Sequence, residues 1–268
     1  MNILLTGSNG YIGSNIIRYL GNIYNITTIN RQTFDLRNYE HTKQWFSGLN
    51  SNIYFDAVIH TAIVGGNRLR SDDSSILDDN IRMYLNLLNH RHYFKKFINI
   101  GSGAERTMSD SFYGLSKKII SSSISDKLNF YNLRIYAVFD DRENIRRFIK
   151  SNIQRYLNKE NLVIHQNKFM DFIYFPDFIS ILNKYLKFNN IPKNIDCVYK
   201  EKHTLLDIAK IINRLDCYST NIEIQNNNND IDYIGEYNNI NIDFIGLEQG
   251  IIKTYREIKN EKNMVCPQ

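Results

Sequence analysis

Thr6-Gly7-Ser8-Asn9-Gly10-Tyr11-Ile12-Gly13 is the stretch that decides the fold. Before it, Met1 to Thr6 reads as a short apolar strand. After it, Tyr11 to Leu20 reads as a helix, with Ile12, Ile16, Ile17 and Leu20 on one face and Gly21 as its stop. A strand running into a helix through GxxGxxG assigns each glycine a task. Gly7 permits the tight turn, Gly10 lets backbone approach a pyrophosphate, and Gly13 lets the helix close on the sheet. The free N–H groups and positive end of the helix then face the anion. Asn9, Tyr11 and Ile12, between and beside the glycines, are candidate contacts of the same ligand. A turn without a ligand is the plain alternative; three glycines at the first strand–helix junction favour the ligand.

Working outward, short apolar runs alternate with helical patterns through the first half. Ile26–Ile29, Ala57–His60, Lys96–Ile100 and Asn129–Tyr136 read as strands, and Ile76–Leu88 and Tyr113–Ser125 as helices. That alternation predicts an α/β fold with a doubly wound parallel sheet and crossover helices. The second half changes character. Isoleucine and asparagine dominate, the elements are less regular, and Asn226–Asn229 reads as an exposed polar loop. With 3 prolines and no Gly/Ser-rich stretch, no flexible linker is visible, and the halves are expected to pack closely around a cleft. The expected division is a cofactor domain over residues 1–137 and a smaller substrate domain over 138–268, with about 170–190 returning to the first.

Composition narrows the class. The formal charge is +5, from 33 basic and 28 acidic residues, without a basic run. This fits a solvated surface or a cleft for an anionic substrate and argues against a nucleic-acid partner. Cys197, Cys217 and Cys266 are odd in number and show no CxxC spacing. They read as reduced thiols, with no metal site and no disulfide framework. No apolar stretch approaches the roughly 20 residues of a membrane span, and the run Ile3–Leu5 is too short for a signal peptide. A cytoplasmic protein with no membrane partner is expected.

The end of the second strand selects the dinucleotide. NAD sites place an acid there for the ribose 2′-hydroxyl, whereas NADP sites use a basic group. Ile29-Asn30-Arg31-Gln32 has no acid and one arginine. A guanidinium pairs with a 2′-phosphate through two hydrogen bonds, so NADP(H) is favoured and NAD(H) is the alternative. Asp35, in Phe34-Asp35-Leu36, is a candidate acceptor for the adenine amino group, and Leu36 is grouped with it.

Tyr113-Gly114-Leu115-Ser116-Lys117 puts Tyr and Lys at i and i+4, on one helix face. A cation one turn away favours the phenolate and brings a phenol of ordinary pKa about 10 toward the working range. The pairing alone is common in a chain with 18 tyrosines: Tyr39/Lys43 and Tyr255/Lys259 repeat it. Context selects the middle pair. It opens a helix shortly after a strand that ends in Gly101-Ser102-Gly103, where a serine hydroxyl can share a carbonyl oxygen with the tyrosine.

Together these residues resemble the extended short-chain dehydrogenases/reductases, the NAD-dependent epimerase/dehydratase family. Further marks are His60-Thr61-Ala62 after a strand, Asp79-Asn80 on the next helix, Leu133-Arg134 ending a strand, Met170-Asp171-Phe172-Ile173-Tyr174, and Gly246-Leu247. The resemblance implies a Rossmann domain followed by a smaller C-terminal substrate-binding domain, a homodimer formed through helices that include the Tyr/Lys one, and a nucleotide-sugar substrate. By resemblance Thr61, Ala62 and Asn80 line or support the cofactor, Lys117 also holds the nicotinamide ribose, and Ser102, Tyr113 and Lys117 are catalytic.

Val64-Gly65-Gly66 and the segment up to Asn80 resemble GDP-L-fucose synthase and related 4-keto-6-deoxy-sugar reductases. Three departures follow. Gly103-Ala104 stand where the 4,6-dehydratases carry Asp-Glu. Ala104 replaces a cysteine, and Phe139-Asp140-Asp141 offers no histidine, so C3/C5 epimerisation loses its residues and Asp140 reads as a loop carboxylate. Met170 replaces the arginine that binds the substrate diphosphate, leaving Arg146, Arg147, Lys150 and Lys168, together with Ser102 and Gly103, as candidate substrate contacts. The expected activity is NADPH-dependent reduction of a nucleotide-linked 4-keto-6-deoxy sugar. A nucleotide-sugar 4-epimerase with tightly bound NAD and a non-catalytic NADP-sensing or scaffold protein are the rivals.

Overall fold

A computed structural model describes residues 1–50, 53–66, 72–226, 228 and 231–265. Residues 67–71 of the reductase-like segment, residues 227 and 229 of the asparagine run, and Cys266 lie outside the described residues. In chain order the first elements are β1 (Asn2–Thr6), α1 (Tyr11–Leu20), β2 (Asn25–Ile29), α2 (Tyr39–Ser47), β3 (Ala57–His60), α3 (Ser74–Leu88), β4 (Phe97–Ser102), α4 (Ala104–Thr107), α5 (Phe112–Ser125) and β5 (Phe130–Ile135). There follow β6 (Val138–Phe139), α6 (Phe148–Leu157), β7 (Leu162–Gln166), β8 (Ile173–Tyr174), α7 (Phe175–Lys187), β9 (Asn194–Asp196), α8 (Leu205–Ile212), β10 (Ile222–Asn226) and α9 (Leu247–Val265). Two compact units result: Met1–Arg134 with Leu182–Ile195, and Ile135–Ile181 with Asp196–Gln268.

The first unit is built on a six-stranded sheet of order β2-β1-β3-β4-β5-β9. β1 pairs in parallel with both β2 and β3, and β3 pairs in parallel with β4. Such strands are covered on both faces, which is why β1 and β3 read as unbroken apolar runs without alternation. Ile3, Leu4, Leu5, Ala57, Val58 and Ile59 are all fully buried. Leu4, Val58, Leu87, Phe97 and Ile124 share one core cluster, in which the Phe97 ring stacks on Phe130 at 5.1 Å between centroids. Winding outward from β1 to β2 and then back across β1 to β3 opens a crevice at the carboxyl ends of these strands.

Helix α1 covers the expected residues, but its buried face differs. Ile17 is exposed, while Gly13, Asn15, Ile16 and Leu20 are buried. The helix packs through the small Gly13 side, and this turns Ile17 outward. The sequence pattern misses α2: its apolar content is low, and Asn38, whose side chain accepts from the His41 N–H, supplies the start signal.

The second unit holds two small parallel pairs, β7 with β10 and β6 with β8. Tyr156 is fully buried there and stacks on Tyr218 at 4.5 Å. Asp177 accepts the backbone N–H groups of Ile245 and Gly246 at 2.8 and 3.0 Å and the Tyr199 hydroxyl at 2.5 Å, which seats the start of α9. Among the described residues no helix is long and apolar enough to cross a membrane. Cys197 is buried, Cys217 is exposed, and both are free thiols.

One glycine sets how closely α5 meets α4. A Cβ on Gly114 would collide with the Met108 carbonyl oxygen and lie 2.7 Å from its carbon and 2.8 Å from the Ala104 carbonyl oxygen. All three obstacles are backbone. Gly114→Ala is therefore expected to lower stability by about 2 kcal/mol, as overpacking does, measured as a reduced urea midpoint with an unchanged slope. A native midpoint would mean that α5 moves freely.

Candidate active site

The glycine loop forms the floor of the site. Gly7 has φ +71°, and a Cβ there would lie 2.6 Å from the Ala62 nitrogen, so no other residue is accommodated in both respects. At Gly13 a Cβ would strike the Gly7 carbonyl oxygen and come within 2.8 Å of the Ser8 Cα. Helix α1 has no side-chain cap and no acid in its first turn. Its leading N–H groups are thus left for an anion.

The end of β3 is pinned to that floor. Ala62 N–H donates to Thr6 Oγ1 at 3.3 Å, and Thr6 Oγ1 lies 2.8 Å from His60 Nδ1. Burial pushes the His60 imidazole down to about 3, with the Lys117 charge acting in the same direction. The ring is therefore neutral and shares one hydrogen bond with the Thr6 hydroxyl. Thr61 Oγ1 donates to the Thr6 carbonyl at 2.7 Å.

A cavity of about 510 Å³ opens above this floor. Gly7, Asn9, Gly10, Arg31, Asp35, Leu36, Thr61 and Ala62, all candidate cofactor contacts, line it. Tyr11, Ile12 and Gly13 do not line it, and neither does Asn80. At the end of β2 the Asn30 amide donates to Ser8 Oγ at 3.0 Å, while its oxygen accepts from Gln32 N–H at 2.9 Å. The position where an acid would hold a 2′-hydroxyl is thereby committed to the turn. Arg31 is exposed at the cavity rim.

Arg37, which sequence reasoning passed over, also lines the cavity. Its guanidinium engages Asp35 at 2.6 Å and Asp79 at 2.8 Å. The Arg37 hydrogen bonds hold the Asp35 carboxyl below its ordinary range. The signal was present in the spacing Asp35-Leu36-Arg37, but Asp79 is distant in sequence and only the fold brings it in.

Asn80 is a clamp. Its side chain accepts Val64 N–H at 2.8 Å and donates to the Val64 carbonyl and to Ser116 Oγ, each at 3.0 Å. Ser116 in turn donates to the Tyr113 carbonyl at 2.7 Å. The loop just beyond Val64 lies against the Tyr113 ring. A Cβ on Gly66, which has φ +70°, would come within 2.7 Å of two ring carbons.

Tyr113 and Lys117 project from the first turns of α5, which Ser111 caps by accepting the Gly114 N–H at 3.0 Å. Lys117 Nζ lies 6.0 Å from the Tyr113 ring centre and donates to the Ile100 carbonyl on β4 at 2.6 Å. Burial brings its ammonium down to about 8, against the opposing pull of Glu105. Ser102 closes the same strand and is 8% exposed; its Oγ accepts the Ala104 N–H at 3.2 Å. Gly103 is the turn into α4.

Beneath Ser102 lies a group the sequence did not announce. The Glu105 carboxylate accepts the Ser102 N–H at 3.0 Å, the Asn132 amide at 3.1 Å and Arg134 Nε at 2.5 Å. Both ionic partners are buried.

The other two Tyr/Lys pairs have different surroundings. Tyr255 and Lys259 both bond Asp216, at 2.9 and 2.7 Å, and fasten α9. Tyr39 is exposed. The basic residues proposed to replace the diphosphate arginine all belong to the second unit. Arg147 is paired with Glu143 at 3.3 Å, Lys150 donates to the Asp141 carbonyl, Arg146 is exposed, and Lys168 is half-buried. Met170 itself is buried, and Asp171 beside it is held by Lys202 and by the Gly235 N–H, both at 2.7 Å. Asp140 is fully buried and accepts the Arg142 N–H at 3.0 Å, as a loop carboxylate does.

Comparison with known proteins bears on the fold and the family. CDP-abequose synthase of Yersinia pseudotuberculosis is 25% identical, over 80% of this chain and 84% of its own. A GDP-L-fucose synthetase from Naegleria fowleri bound to NADP superposes with a TM-score of 0.78 at 17% identity, covering 98% of this chain and 93% of that one. The UDP-glucose 4-epimerase of Thermotoga maritima, solved with UDP-glucose, gives 0.77 at 18% identity, over 98% and 99%. At these identities the two structures speak for the fold. The family model described as NAD dependent epimerase/dehydratase matches residues 3–197. With that match spanning well over half of a chain that carries the glycine floor and the Tyr113/Lys117 pair, the protein belongs to the NAD dependent epimerase/dehydratase family and is an NAD(P)-dependent enzyme.

Proposed function

We propose that this enzyme reduces the keto group of a nucleotide-linked 4-keto-6-deoxy sugar with NADPH, in the cytoplasm. The observation that carries the proposal is the buried Lys117 ammonium, set between the Tyr113 ring and the strand that ends in Ser102. A buried cation beside a phenol serves proton chemistry, which a sensor or scaffold on this fold does not need. The glycine floor, Thr61, Ala62 and Arg31 hold the cofactor, which supplies the hydride when bound. Tyr113 gives its phenolic proton to the carbonyl oxygen, and the Lys117 ammonium stabilises the phenolate left behind. Ser102 donates a second hydrogen bond to the same oxygen, and Lys117 has further protons for the ribose hydroxyls.

Reduction is favoured over dehydration and over C3/C5 epimerisation by the two residues that directly follow Ser102. Gly103 and Ala104 offer no acid, base or thiol. The likeness to a GDP-L-fucose synthetase bound to NADP accords with this. The likeness to a UDP-glucose 4-epimerase supports the second reading, in which the same residues serve a 4-epimerase that retains NAD. Tyr113→Phe is expected to abolish NADPH oxidation with 4-keto nucleotide sugars while leaving the NADPH Kd within about twofold, read by fluorescence titration. A mutant that turns over as fast as the native enzyme removes the mechanism. Purification of the native protein with bound NAD selects the epimerase.

The NADP preference rests on Arg31, since the Arg37 guanidinium is already shared by two carboxylates. Loss of a charged hydrogen-bonding partner is worth about 1.5–3 kcal/mol. Arg31→Ala is therefore expected to weaken NADPH binding by about 10- to 100-fold and to leave NADH binding nearly unchanged; equal losses for both cofactors would contradict the preference.

We further propose a homodimer built on α3 and α5. Phe112 and Ile119, seven residues apart on α5, are exposed at 40% and 41%, and Leu85 on α3 at 45%. Ile119→Glu is expected to halve the mass measured by light scattering. A native protein that runs as a monomer would refute the dimer.

A further inference from the structure

Glu105 has no part in the proton transfer just described, yet four features tie it to the groups that do. Its Oε1 accepts the Ser102 N–H, so the backbone that presents the serine hydroxyl hangs on this carboxylate. Its Oε2 accepts Arg134 Nε from β5, and Asn132 bonds both oxygens, at 3.3 and 3.1 Å. Gly101 is required to leave room: a Cβ there would collide with Oε1 and lie 2.6 Å from Asn132 Oδ1. The fourth feature is electrostatic. Burial drives Lys117 down to about 8, and the Glu105 charge is the cause that pushes it back up.

We propose that Glu105, held by Arg134, is a positioning residue of the reaction centre: it fixes the Ser102 turn and supplies the counter-charge at the end of β4, where Lys117 bonds the Ile100 carbonyl. The proposal deepens the reductase reading and rests on it. A buried ion pair with no functional role would satisfy the same hydrogen bonds, but it would leave Lys117 indifferent to its removal. Among the described residues, Lys117 also faces the neutral His60 imidazole on β3, the Ile100 carbonyl on β4 and the Tyr113 ring on α5 itself. Glu105 and Arg134 are ion-paired at 2.5 Å, so the two can be removed as a neutral unit.

Deleting one partner strands a buried charge and endangers folding, whereas removing both is often tolerated. The test therefore compares native protein with the Glu105→Gln/Arg134→Met double variant, both loaded with NADPH. Lys117 is titrated by NMR of ¹³Cε-lysine, and kcat is followed against pH with 4-keto nucleotide sugars. For native enzyme, kcat is expected to fall with a midpoint near pH 8 as Lys117 loses its proton. In the double variant the Lys117 midpoint and this alkaline limb are both expected to move down by about one unit. At pH 8 kcat then drops about fivefold, as the protonated fraction requires.

A folded double variant with native Lys117 titration overturns the proposal, whatever its activity. If native protein turns over no keto sugar, the reductase reading fails, and the NMR midpoint alone decides the role of Glu105. Should the double variant fail to fold, Glu105→Asp and Glu105→Gln replace it. The aspartate, which keeps the charge, must hold the Lys117 midpoint that the glutamine lowers, and equal midpoints refute the idea.

Discussion

A lysine ammonium withdrawn from water must be compensated, and the solution found for Lys117 organises the reaction centre. Its Nζ donates to the main chain of β4 at Ile100, which fastens the start of α5 to the strand that ends in Ser102. Two side chains on one helix, Tyr113 and Lys117, are thus tied by one buried cation to the strand that carries Ser102, the three residues proposed to act on substrate. The cost is a charged form made less favourable by desolvation. An anion at Glu105 sits nearby, itself tied by Arg134, Asn132 and the Ser102 N–H.

The cofactor floor follows the same logic of fully committed polar groups. Thr6 joins the neutral His60 to the backbone of Ala62, and Asn80 joins the Val64 main chain to Ser116 and so to the carbonyl of Tyr113. Buried networks of this kind rigidify when every member is satisfied. The consequence is a βα turn whose leading N–H groups have no side-chain cap, while Thr6, His60 and Ala62 beside it are bonded to one another.

Legibility in the sequence divides along range. The glycine loop, strands β1 and β3, and helices α1 and α5 were readable because their signals are local: spacing, continuous apolar runs and caps. Gly7 and Gly13 behave as their positions in the motif require. The three Tyr/Lys pairs had equal standing as patterns, and only the strand before Tyr113 set it apart. Asp216 now gives Tyr255 and Lys259 a structural task that no spacing rule contained. Glu105 and Arg37 escaped notice for one reason. An acidic residue in a short helix and an arginine after a turn look solvated until Arg134, Asn132 and Asp79 arrive from elsewhere in the chain.

What the chain determined by itself was the order of its elements, the place of the pyrophosphate-type turn and the residues able to carry a proton. These depend on periodicity and on steric limits that act over a few residues. Tertiary structure alone decided which charges would be buried and beside what: a neutral His60, a Lys117 drawn down toward neutrality, a Met170 sealed in while Lys202 takes Asp171. Desolvation and Coulomb energy depend on distances between residues remote in sequence, and no local pattern encodes a distance that only folding creates.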